Sequence, residues 1–140
     1  MTEANTWTVA LEFDAALDTV KTGKSIRDNL SAVARVGKHL WLASDETTCV
    51  ERLSTEDDIT FRHHKRFRLS DFIRLHAGED READLEALDY DGGFLWMVGS
   101  HSLSREKPDQ ESSDTRREIE RLAQIERNDN RYLLARVPLA

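Results

Sequence analysis

The sequence predicts an all-β fold with one short inserted helix, organised as a partial β-propeller of about two antiparallel blades. Two features of the residues carry this reading. A strand–turn–strand motif occurs twice at a fixed spacing. The second strand of each copy is apolar at consecutive positions, which is the pattern of a strand covered on both faces. Length sets the third constraint: 140 residues hold about two and a half such periods, whereas propellers close with about four to eight blades.

The repeat is explicit. Residues 29–46 read NLSAVARVGKHLWLASDE and residues 84–101 read DLEALDYDGGFLWMVGSH, aligned without a gap at an offset of 55. Leu30/Leu85, Ala32/Ala87, Gly37/Gly92, Leu40/Leu95 and Trp41/Trp96 are identical, where average residue usage gives about one match. Asp91-Gly92 supplies the positive φ that a two-residue hairpin demands. Trp41 and Trp96 hold equivalent places, which argues for packing between blades.

The other elements follow in chain order. Thr6 to Phe13 alternates as a strand and reads as the outer strand of a preceding blade. Cys49 to Leu53 and Ile59 to Leu69 read as the third and fourth strands of blade one, which spans about 29–69. In the fourth strand Arg62, His64, Arg66 and Arg68 are expected on one face, with Phe61 and Phe67 on the other. Blade two spans about 84–140 and carries a helical insert over about 104–130. Within the insert, Thr115 and Glu118 have capping-box spacing, and Ile119, Leu122 and Ala123 continue at helical period, predicting a helix from about Asp114 to Arg127. Arg131 to Val137 reads as the third strand of blade two. Residues 1–140 therefore form one incomplete propeller-like domain, expected to be a fragment of a longer protein, and its bare blade faces are expected to drive oligomerisation.

Composition bounds the function. The net charge of −7 and pI near 5.2 oppose binding to phosphate backbones or anionic membranes, so neither nucleic acid nor membrane is an expected partner. A single cysteine, Cys49, excludes an internal disulfide and reads as a small buried side chain. No secretory leader or apolar span of bilayer length is visible, so the expected location is the reducing cytoplasm.

The segments NLSAVARVGKHLWLASDE, DLEALDYDGGFLWMVGSHSLSREKPD and RYLLARVPL resemble the bacterial domain-of-unknown-function family numbered 3616, across roughly residues 25–140. Leu95 to Ser102 is the most specific stretch. The resemblance implies a longer parent chain and brings no established activity. More distantly, the acidic-Leu-Glu-Ala hairpin leading to Leu-Trp resembles propellers of the phytase-like esterase and gluconolactonase kind. In those a glutamate opening an inner strand contacts a divalent metal, and Glu86 stands at the matching place. Ala87 replaces the glycine that usually follows, and Ser31 replaces the acid in the first copy.

The candidate ligand-binding residues are Ser31, Asp45, Asp84, Glu86 and His101. Asp45 and His101 follow the second strands of their hairpins, and Glu82, Asp84 and Glu86 alternate along an extended segment, which would project all three to one side. Clustered carboxylates suit Ca2+ or another hard divalent cation, with Glu86 as the metal ligand; a solvated acidic loop is the competing reading. Other patterns are weaker. His63 and His64 would point to opposite faces of a strand and so would not share a zinc ion. The basic and aromatic run from Phe61 to Arg68 could suggest nucleic acid, against the acidic total. Ser31 or Ser100 with His101 and Asp45 lacks any nucleophile-elbow sequence. Two functions fit: a scaffold that binds a ligand or partner at the channel mouth, and alternatively part of a divalent-metal-dependent hydrolase of esters, lactones or phosphoesters.

Overall fold

The structure is a computed structural model that describes residues 6–18, 23–109 and 111–140. It is mostly β with one short helix. The strands are β1 (Ala10–Leu11), β2 (Leu30–Val36), β3 (His39–Ser44), β4 (Cys49–Ser54), β5 (Thr60–Arg68), β6 (Leu85–Asp91), β7 (Phe94–Gly99), β8 (Ser104–Arg105), β9 (Ile125–Glu126) and β10 (Leu134–Pro138), with the helix α1 (Thr115–Ala123) between β8 and β9. A first sheet runs β1-β5-β4-β3-β2 and a second β10-β7-β6, while β8 and β9 pair by themselves. No helix among the described residues is long and apolar enough to cross a membrane.

The two hairpins share one register. Val36 opposes His39 as Asp91 opposes Phe94, and Trp41 opposes Ala34 as Trp96 opposes Asp89. Each carries a bulge at the same place, between Leu30 and Ala32 and between Leu85 and Ala87. Gly37 and Gly92 turn the chain at φ 57° and 58°, a conformation that side chains with a Cβ rarely adopt. The third strands match too: Leu53 opposes Leu40 as Val137 opposes Leu95, and Arg52 opposes Trp41 as Arg136 opposes Trp96.

Strand alternation then sorts the core into layers. One face of the first sheet presents Leu40, Leu42, Leu53 and Phe61, packed by Val9, Leu11 and Phe13. Its other face presents Trp41, Ala43, Val50 and Phe67, packed against Leu85, Leu88, Leu95 and Met97 of the second sheet. Full burial of a side chain the size of Leu53, Phe61, Leu85 or Met97 contributes about 1.5–3 kcal/mol of transfer free energy. Contact between the sheets concentrates on β2, β3 and β6, and the Ser31 hydroxyl donates to the Leu85 carbonyl at 2.5 Å. The sheets therefore meet along their inner strands.

Three sequence expectations change. The segment over 6–13 yields only β1, which pairs in parallel with Thr60 and Phe61 of β5, so it extends the first sheet and is not the outer strand of another one. Phe61 and Phe67 lie on opposite faces. The cause is an irregularity in pairing between Arg52 and Ser54, with His63 at φ 58°, which inserts a residue and inverts the alternation. The helix is shorter than expected: Asp114 caps it by accepting from the Arg117 amide at 3.1 Å, and the chain leaves helical geometry at Gln124. Glu118 does not close a capping box but accepts from the Asp109 amide at 2.6 Å.

Candidate functional site

Loops from both sheets converge at the strand ends opposite the hairpin turns. The Ala83 amide donates to the Thr47 carbonyl at 3.2 Å, tying the approach to β6 to the loop after β3. This places Asp45 close enough to Asp84 for their charges to interact. Burial, together with repulsion from Glu46 and Asp84, holds the Asp45 carboxyl above its usual range, and its Oδ1 is buried without a hydrogen-bond partner.

Arg131 supplies the counter-charge. Its guanidinium meets Glu82 Oε1 at 2.8 Å and Asp84 Oδ2 at 3.3 Å, and donates to Ser102 Oγ at 3.3 Å. Its carbonyl accepts from the His101 amide at 2.9 Å. Asp84 and His101 both have positive φ, 49° and 52°, so the residues flanking the second hairpin are held in an uncommon conformation. Asn130, buried, fixes the neighbouring loop: its Nδ2 donates to the carbonyls of Gly78 and Arg81 at 2.7 and 2.8 Å, and its Oδ1 accepts from the Ala77 amide at 2.9 Å. Asn128 donates to the Glu82 carbonyl at 2.8 Å. Gly99 sits against the Arg131 and Ala83 carbonyls so tightly that a Cβ there would collide with both.

The structure separates the sequence candidates. Asp45 and Asp84 come together. Ser31 is occupied in joining the sheets, donating to Leu85. His101 is exposed, with Nε2 at 3.2 Å from the Leu133 carbonyl and its ring edge toward Tyr132. Ser100 bonds Ser102 at 2.8 Å, so no serine–histidine–aspartate relay forms. Glu86 is exposed and does not join Glu82 and Asp84 on Arg131, because the turn at Asp84 and the bulge before Ala87 break the alternation that would align the three acids. Among the described residues no three of His, Cys, Asp and Glu are grouped to hold an ion.

A second cluster escaped the sequence reading. Glu51 is fully buried, and its carboxylate takes Arg66 Nε at 2.7 Å on one oxygen and His64 Nε2 at 2.7 Å on the other. His64 Nδ1 accepts from the Asp14 amide at 3.3 Å, which leaves the proton on Nε2 facing Glu51. Arg66 also donates to the Leu17 carbonyl at 2.6 Å. This network fastens the N-terminal segment to the first sheet. The signal for it was a glutamate between Val50 and Leu53 on a strand, opposite Arg66.

A groove of about 250 Å³ opens between the outer parts of the two sheets, lined by Trp41, Arg52, Phe67, Phe72, Met97 and Val137. Val137 of β10 lines it opposite Arg52 of β4 and Phe67 of β5. His39 borders it, and burial together with the charge of Arg52 keeps its imidazole below the usual range.

Compared with known proteins, the chain matches no curated protein and no solved structure. A family model described as protein of unknown function, DUF3616, matches residues 29–140. The match covers both hairpins, the insert and β10, and the chain belongs to the DUF3616 family.

Proposed function

We propose that the protein is a two-sheet segment of a β-propeller that works as a binding scaffold, receiving a small polar ligand or peptide at the strand-end face around Asp45, Asp84 and Arg131. One observation carries the reading: sheets of identical register lie face to face and are joined along their inner strands by Ser31 and Leu85. In such a stack the loops at one end come together from several sheets, and these are the positions from which propellers recognise ligands.

The site's chemistry suits recognition of hydroxyl or amine groups. It offers carboxylate acceptors and a guanidinium donor on loops held by Asn128 and Asn130.

A screen of small polar fragments, read by backbone amide shifts, tests the proposal. Binders are expected to move the amides of Asp45, Glu46, Asp84 and Arg131 and to lose those shifts in Asp45→Asn. Binders that map instead to the turns at Gly37 and Gly92, with the strand ends silent, would contradict it.

A further inference from the structure

The second sheet leaves one face uncovered, and its rungs are read from the register. Trp96 on β7 lies between Asp89 on β6 and Arg136 on β10; Val98 lies between Ala87 and Leu134; Phe94 lies between Asp91 and Pro138. Residues on one rung of an antiparallel sheet project to the same face. Leu134 is 67% exposed there, and the Arg136 guanidinium carbon lies 4.3 Å from the Phe94 centroid and 5.3 Å from that of Trp96.

The equivalent face of the first sheet is covered by the second, so the two faces can be compared position by position. Where the covered face has Ala34 and Val36, the uncovered one has Asp89 and Asp91. The result is an apolar centre with carboxylates along one side and a guanidinium along the other. An apolar core with a charged rim is the composition of a protein–protein interface.

The charge pattern also selects the partner. We propose that this face is the self-complementary interface of a homodimer, with a two-fold axis running along β7. That operation lays β6 of one copy over β10 of the other. It brings Asp89 against Arg136 of the partner subunit, and by symmetry Arg136 against Asp89 of the partner subunit, with the two Trp96 rings central. A two-fold across the strands would instead set Arg136 on Arg136 and Asp89 on Asp89, which like-charge repulsion disfavours. Sheets stacked about 10 Å apart leave room for these side chains to meet. The inference rests on the registers; in the propeller reading the second copy occupies the place of the next sheet on this face.

Sedimentation equilibrium of the full chain tests it, with two charge reversals. The wild type is expected to be a dimer. Asp89→Arg and Arg136→Asp are each expected to weaken association about a hundredfold, since every contact is lost twice. An equimolar mixture of the two variants is expected to regain the dimer, because each reversed residue then faces its complement. Recovery in the mixture also shows that both variants fold. Leu134→Ser, which leaves the charges in place, is expected to weaken the dimer about tenfold. A wild type that stays monomeric into the millimolar range, a reversal that dimerises like wild type, or folded variants that stay apart when mixed would each overturn the proposal.

Discussion

Arg52 lies over the indole of Trp41, its cross-strand neighbour, with the guanidinium carbon 5.8 Å from the ring centroid. Arg136 stands in the same relation to Trp96, at 5.3 Å. A cation over an aromatic face is worth about 0.5–2 kcal/mol, and its recurrence makes the Trp–Arg rung part of the pattern that both sheets follow. The two copies differ in surroundings. Trp41 is closed in by the second sheet, whereas Trp96 lies on the uncovered face.

That difference sets the first expectation. Trp41→Ala removes a ring packed between two sheets and is expected to cost about 3–5 kcal/mol in urea unfolding. Trp96→Ala is expected to cost less than half as much in the monomer. Equal losses would show that the two rings are buried alike.

The Glu51 carboxylate is expected to be the most costly single charge to remove. Glu51→Ala leaves Arg66 and His64 facing a buried space without their partner, a change expected to cost about 3–5 kcal/mol at neutral pH. The readout is chemical unfolding together with loss of protection at Asp14, whose amide bonds His64. A cost below about 1 kcal/mol would mean that water reaches the network.

Asp45 gives a pH dependence with a definite sign. Burial and neighbouring carboxylates raise its folded-state pKa above the ordinary 3.8. The ionised form is therefore disfavoured in the folded protein: the penalty is fully present above the raised value and vanishes as pH falls through it toward 3.8. Asp45→Asn is expected to be more stable than wild type at pH 7, with the gap closing on acidification. A constant gap across that window would contradict the account.

Asp57 shifts the other way. Its carboxylate accepts from the amides of Thr60 and Ile59 and from the Thr55 hydroxyl, which lowers its pKa to about 2. Side-chain carbon shifts followed by NMR are expected to titrate there. The turn before β5 should keep these bonds above 3.8 and lose them as pH falls toward 2.

Much of this fold was legible because the informative positions are local. Asp91-Gly92, the apolar run Phe94 to Val98 and the Trp41/Trp96 alignment define hairpins without reference to the rest of the chain. The equivalence of Arg52 and Arg136 was hidden, since the tryptophans are 55 residues apart and the arginines 84, the inserted segment making up the difference. Alternation failed wherever an extra residue entered a strand. His63 inverted the faces of β5, and Asp84 with the bulge before Ala87 separated Glu86 from its expected companions. Asn130 left no sequence signal, because its role depends on loop carbonyls brought to it from residues 78 and 81.

The stacked, same-register sheets are the claim on which the rest stands, and a crystal structure of the protein measures it most directly. Two sheets face to face, with β2 and β6 at the junction and the Ser31–Leu85 link between them, are the result expected. A structure in which these strands curl into a single closed barrel, or in which the two tryptophan hairpins pair in different registers, would contradict it.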